Sequence, residues 1–347
     1  MALTEKRMLY LDVLRGGAIA LVLLLHCLTP FIIDAGLFGT LSWKICVVLN
    51  EFCRAGVPLF FMISGYLLLS GPPISSIGQF YRRKLPRLVI PLLGWNVVYY
   101  VFYRTMYGEV LDIPQMLGQM VDKGTSYHMW FIYTLIGIYL IAPFLKKITD
   151  NSTTKELLIL LAVVLFPVAI RPLINTFTST YLNLFDPLME GYLGYFMLGY
   201  VLGKVSLPPR WTRLVILGGA LGAILGIGGN FYAHGKGMDL VFNWGYVINH
   251  FLLAAGIFCL VKCYGGAAAS KLVGWVQKIS ALSFSVFWVH VLILTWIEEN
   301  LIFDYSPIGV IGIRYLLVLS VSLLFAVVGS KVLGLIKRQV KGGQLAP

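Results

Sequence analysis

The sequence predicts an all-α integral membrane bundle of about ten transmembrane helices, and three observations carry that prediction. Of the 347 residues, 59% are hydrophobic and 12% are charged, and the mean hydropathy is +0.84, outside the range of a soluble globular chain. Apolar windows of about 20 residues, the length that crosses a bilayer core, recur from one end to the other. Basic and acidic residues alternate between the connections. Lys6–Arg7, Arg82–Arg83–Lys84 with Arg87, Lys146–Lys147, Lys204 with Arg210 and Arg213, Lys262 with Lys271, and Lys337–Arg338 with Lys341 form one set. Asp34, Glu109 with Asp112 and Asp122, Asp186, Asp239, and Glu298–Glu299 with Asp304 form the other.

That alternation is the positive-inside pattern. It accounts for the net charge of +12 by membrane orientation, so no nucleic-acid partner is expected. The expected spans are 9–30, 45–69, 88–107, 128–145, 156–173, 187–204, 212–233, 243–263, 282–301 and 308–335. An even number puts both termini on one side, and the basic clusters make that side the cytoplasm. The first window reads as a retained helix, because no small-x-small cleavage site follows the Leu run and Pro30 and Phe31 come next. The loops are short, so residues 1–347 read as one transmembrane domain, and any chemistry lies within the bundle or at its faces.

Within these spans, Gly218, Gly219, Gly222, Gly226, Gly228 and Gly229 make the seventh a candidate packing seam, since small residues allow close helix approach. No internal duplication is visible, which counts against an inverted-repeat transporter. Trp43, Tyr107, Trp130, Trp211, Trp244 and Trp275 lie near span ends, as interfacial anchors should. Cys27, Cys46, Cys53, Cys259 and Cys263 are odd in number and mostly inside apolar windows. They show no zinc-type spacing and no disulfide framework, and read as small buried apolar residues.

The first span carries three groups that lipid does not welcome. Asp12, Arg15 and His26 interrupt an otherwise apolar run from Leu9 to Leu28. A charged side chain at membrane depth costs a few kcal/mol even on lenient scales (about 2.5–3.5), so it usually faces a protein interior or a wet cavity. Arg15 and His26 are eleven residues apart, about 20° from eclipsed and roughly 16 Å apart along a helix axis. Asp12 lies three residues before Arg15 on the same stripe. A neutral buried imidazole accepts a proton near pH 7, so His26 is the candidate general base. Arg15 is the candidate for the donor side, with Asp12 neutralising or orienting it.

Three further stretches are singled out. The segment Gln79-Phe-Tyr-Arg-Arg-Lys-Leu-Pro-Arg-Leu-Val-Ile-Pro91 reads as a cytoplasmic loop. Its four cations, Arg82, Arg83, Lys84 and Arg87, suit nucleotide phosphates or anionic lipid headgroups, and equally suit plain positive-inside topology. Pro86 and Pro91 would give it fixed turns. Phe60-Phe-Met-Ile-Ser-Gly-Tyr66 reads as packing, because Ser64 has no acid–base partner nearby in sequence. His128 and Trp130 open the fourth span, Glu190 the sixth, and His290 lies within the ninth. These four either line a cavity for a polar acceptor or hold helices together by hydrogen bonds. His250 and His234 have weaker cases, since both fall near predicted span ends where a solvated His costs little. No metal-ligand spacing occurs, and no metal is expected.

The order Leu11-Asp12-Val-Leu-Arg15-Gly16, then His26 after ten intervening residues, resembles the signature of the acyltransferase-3 family. Phe60–Tyr66, Arg82–Arg87 with Pro91, His128-Met-Trp-Phe131 running to Tyr139 and Pro143, and Ser285-Val-Phe-Trp-Val-His290 agree with it in order. Gly17 departs from it, standing where a bulky apolar residue is common. The resemblance implies a bacterial inner-membrane O-acyltransferase of the stand-alone type, without an added periplasmic hydrolase-like domain. It implies acetyl-CoA as co-substrate and a cell-envelope saccharide or lipid-linked glycan as acceptor. It also makes His26 the catalytic residue, with Arg15 required beside it. The competing expectation is a transporter or flippase with Asp12, Arg15, Glu190 and His290 as an intramembrane relay.

Overall fold

The computed structural model describes residues 2–178, 191–237, 241–243, 245 and 247–342, and every regular element among them is helical. In chain order these are α1 (Ala2–Ile33), α2 (Leu41–Cys53), α3 (Gly56–Leu69), α4 (Ile77–Lys84), α5 (Pro86–Met106), α6 (Ile113–Asp122) and α7 (Trp130–Asn151). They continue with α8 (Thr154–Thr178), α9 (Gly191–Lys204), α10 (Pro209–Gly235), α11 (Ile248–Leu260), the single turn α12 (Gly266–Ala268), α13 (Val273–Asn300) and α14 (Pro307–Gly342). Among the described residues, nine stretches are long and apolar enough to cross a membrane, from Leu9–Ile33 to Pro307–Val332. The expected span 187–204 appears only as the fourteen residues of α9, because its first residues lie outside those described. The chain is an all-α, multi-pass integral membrane protein.

Two compact units divide the chain, residues 1–46 with 266–347 and residues 47–265. In the first, α1, α13 and α14 pack together. Gly16 lets α1 approach α13 closely, since a Cβ there would sit 3.3 Å from Ile279 Cγ2, whereas Gly17 faces open space. At the other end of α13, Glu298 accepts from Arg314 of α14 at 3.0 Å, and the Arg314 guanidinium lies 5.8 Å from the Phe31 ring. Trp43 is not an interfacial anchor. It is 1% exposed and its indole donates to the Ile32 carbonyl at 3.1 Å, because the turn after α1 folds it back onto that helix. Tyr107, Trp211 and Trp275 are exposed as anchors should be, and Trp244 lies outside the described residues.

The second unit is built on glycine contacts. A Cβ at Gly65 of α3 would lie 1.8 Å from the Phe196 carbonyl oxygen of α9, and one at Gly199 would lie 2.1 Å from the Met62 carbonyl oxygen. The two backbones therefore meet where any side chain would force them apart. The Gly-rich α10 repeats this against α11, where a Cβ at Gly219 would fall 2.7 Å from Gly256 Cα. Gly222, Gly226 and Gly229 also face close neighbours; Gly228 does not.

The basic segment is helical, which corrects the loop expectation. Ser76 caps α4 by accepting the Gln79 N–H at 3.3 Å, Phe80 is buried, and Arg82, Arg83 and Lys84 occupy the last turn, where cations suit the helix dipole. Pro86 stands at the start of α5, where its missing N–H costs nothing, and Pro91 is inside that helix, so neither makes a turn. Cys27, Cys46, Cys53 and Cys259 are buried, and Cys263 is exposed; all five are free thiols.

Candidate active site

The α1–α13 seam carries two polar rungs. At the first, Ser280 of α13 donates its hydroxyl to Asp12 Oδ1 at 2.6 Å and accepts from Arg15 Nη1 at 3.3 Å. A serine hydroxyl has one donor and two lone pairs, so it serves both charged groups at once. Asp12 and Arg15 are half-buried while Ser280 is 2% exposed. The predicted pairing of Asp12 with Arg15 is made through this hydroxyl. Ser283 donates to the Ser280 carbonyl at 2.8 Å and steadies the turn that holds it.

The second rung is a pair of imidazoles. His26 is half-buried, and its ring centroid lies 5.3 Å from that of His290 at an interplanar angle of 33°. His290 is fully buried. Its Nδ1 donates to the Phe287 carbonyl at 2.7 Å, with the Val286 carbonyl at 3.3 Å. Two carbonyls at one nitrogen fix the proton there and leave the lone pair on Nε2. Asp12 and Arg15 meet α13 at residue 280, and His26 meets it at residue 290, so the two helices run in the same direction. Ten residues of α13 span roughly 15 Å, close to the rise from Arg15 to His26. That matching stagger was the signal for Ser280, which sequence reasoning missed.

The remaining predicted residues lie in the second unit or outside the described residues. His128 is 3% exposed. Its Nδ1 is 3.0 Å from Ser126 Oγ, and its ring packs edge-on against Tyr99 with centroids 5.1 Å apart. Trp130 begins α7 and lies 4.9 Å from the Tyr192 ring. Glu190 lies outside the described residues. Arg82, Arg83 and Arg87 are exposed and Lys84 is half-buried. A cavity of about 280 Å³ opens between the end of α3 and α4, with Gly71, Ser76, Gln79, Arg83 and Lys84 among its walls. A wider one of about 850 Å³ adjoins it over Ser76, Gly78, Gln79, Arg82 and Arg83.

One polar cluster in the second unit was not foreseen. Glu51 is fully buried, accepts from Asn249 Nδ2 at 2.9 Å, and lies 3.5 Å from His250 Nε2. Asn243 Oδ1 accepts from both Asn50 at 2.9 Å and Asn230 at 3.0 Å. Gly226 makes the room, because a Cβ there would fall 2.1 Å from the Glu51 carboxylate. His250 is thus fully enclosed and not at a solvated span end. No group of three or more His, Cys, Asp or Glu suited to a metal occurs among the described residues.

The fold and these rungs define a multi-pass membrane protein with its titratable groups inside the helix bundle. A family model described as an acyltransferase domain matches residues 8–333, and the chain belongs to that acyltransferase-3 family. It is an acyltransferase that transfers groups other than aminoacyl groups. No curated protein and no solved structure matches the chain significantly.

Proposed function

We propose that the protein is an O-acetyltransferase of the bacterial inner membrane, moving an acetyl group from cytoplasmic acetyl-CoA to a hydroxyl of an envelope saccharide or lipid-linked glycan. The observation that carries the reading is the His26–His290 pair, a half-buried imidazole backed by a second one whose tautomer is fixed. His26 acts as general base. It takes the acceptor hydroxyl proton, the oxygen attacks the thioester carbonyl carbon, the C–S bond breaks, and the CoA thiolate leaves. Arg15, held by Ser280 and balanced by Asp12, orients the donor. Arg82, Arg83, Lys84 and Arg87 supply cations for the CoA phosphates, a role supported by the cavities beside α4. His128, Trp130, Glu190 and His290 are proposed on the acceptor side, with His290 also backing the base.

The test is acetyl transfer from radiolabelled acetyl-CoA to envelope glycan in membranes carrying His26→Ala. Activity should fall by about 10³-fold or more, while expression and membrane insertion hold. Activity retained within a few-fold of wild type refutes the mechanism. Mass spectrometry of envelope glycans from a deletion strain identifies the acceptor by its lost acetyl increment.

A further inference from the structure

The stretch Leu41–Leu69 is long enough to cross a membrane, yet it is not one helix. α2 ends at Cys53 and α3 begins at Gly56, with Arg54 and Ala55 forming the turn between them. Thirteen residues precede the break and fourteen follow it, so Arg54 sits near the middle of the span. Unwound backbone at membrane depth is tolerated where protein encloses it or where it lines a cavity. Half-helix N-termini at such breaks present the positive end of their dipole to anionic groups. α3 has this form: its N-cap is Ala55, which makes no side-chain cap, and Pro58 brings no N–H.

Four other cations within the spans have oxygen partners among the described residues. Arg15 has Ser280, Arg314 has Glu298, and Lys146 has Asp150. Lys262 donates to the carbonyls of Leu202, Gly203 and Val205 at 2.5, 3.1 and 3.1 Å. Arg54 differs. Among the described residues its guanidinium makes no hydrogen bond and no ion pair, and its Nε is buried without a partner. The carbonyl end of α2 offsets part of its charge. Glu51, three residues earlier, and Tyr192 attract it electrostatically. The Glu51 carboxylate, however, takes its hydrogen bond from Asn249 and lies 3.5 Å from His250, so the guanidinium donors stay unused. Arg54 as a whole is half-buried and not sealed from its surroundings.

We propose that Arg54, with the N-terminal end of α3 beside it, binds a carboxylate or phosphate group of a ligand within the membrane. A planar guanidinium takes either group through two parallel hydrogen bonds. The adjoining helix end and the cation repel each other until an anion sits between them. On the acyltransferase reading, this anion belongs to the acceptor glycan or its lipid-linked phosphate.

Thermal unfolding of the full chain in neutral detergent tests the site without donor or transfer, so it stands or falls apart from the His26 mechanism. Sodium glucuronate, sodium phosphate and glucose are compared at matched ionic strength. At least one anion should raise Tm saturably by about 3 °C, and glucose should not. A shift with glucuronate alone assigns a sugar carboxylate; a shift with phosphate assigns a phosphate-bearing ligand. Arg54→Gln should abolish the shift. Arg54→Lys keeps the charge on which the fold is built and should weaken apparent affinity about tenfold. This second variant carries the test if Arg54→Gln does not fold. No shift with either anion overturns the proposal, and so does a variant shift equal to that of wild type.

Discussion

The α1–α13 seam and the Glu51 cluster both place ionisable groups inside the membrane, but they differ in access. On the seam, Asp12, Arg15 and His26 are half-buried and their supports, Ser280 and His290, are enclosed behind them. In the cluster, Asn50, Glu51, Asn230, Asn249 and His250 are all fully buried; Asn50 and Asn230 donate to Asn243, and Asn249 donates to Glu51. A reacting group must meet substrate, so burial by itself marks structure; a half-buried group with an enclosed support marks chemistry. Changes in the cluster should therefore cost folding, and changes on the seam should cost activity.

The largest expected effect is Gly226→Val. Its Cβ would fall 2.1 Å from the Glu51 carboxylate, which is fully buried and held by Asn249 and so has little room to swing away. The variant should fail to accumulate as folded protein, as read by detergent-resistant size-exclusion profiles. A monodisperse, fully active Gly226→Val protein would break the comparison. Asn249→Ala removes the donor to Glu51 Oε1 and leaves a buried carboxylate oxygen poorly served. A loss of about 1–3 kcal/mol is expected, with kcat of the surviving protein near wild type.

On the seam the order of readouts reverses. His290→Asn removes the ring behind His26 while leaving a polar group of smaller size. We expect kcat to fall about 10²-fold with KM and Tm nearly unchanged. A variant that loses stability and keeps kcat would place His290 with the structural groups. Ser280→Ala deletes the hydroxyl that joins Asp12 to Arg15. About tenfold is expected there, because Asp12 and Arg15, three residues apart on one helix, still attract each other.

These contrasts also explain what the sequence could show. Asp12, Arg15 and His26 lie on one helix, so helical spacing alone put them on a stripe. Ser280 and His290 belong to a helix more than 250 residues later in the chain, and no single-span periodicity couples the two helices. Only their similar stagger hinted at it. The Glu51 cluster draws on α2, α10, α11 and the short turn at Val241–Asn243. Each contributes one or two amides or acids that look unremarkable alone. The span count was readable because hydropathy is local. The break at Arg54 and the helical form of the basic segment were not, since apolar content is the same on both sides of the break and two prolines suggested turns. Pro86 in fact starts a helix, where proline is favoured.

The smallest effect sharpens the comparison from within the first unit. Trp43 is as enclosed as the cluster residues and lies in the first turn of α2, packed back onto the end of α1. Trp43→Phe keeps most of the aromatic volume and deletes the indole N–H that donates to the Ile32 carbonyl at 3.1 Å. One net hydrogen bond is worth about 1 kcal/mol, which for a chain of this size lowers Tm by about 2–4 °C. The Ile32 carbonyl is in the last turn of α1, six residues beyond His26, so acyl transfer should stay within twofold of wild type. If transfer fell as far as in Ser280→Ala, enclosed groups of this unit would tune the site from a distance. Burial would then cease to separate structure from chemistry in this chain.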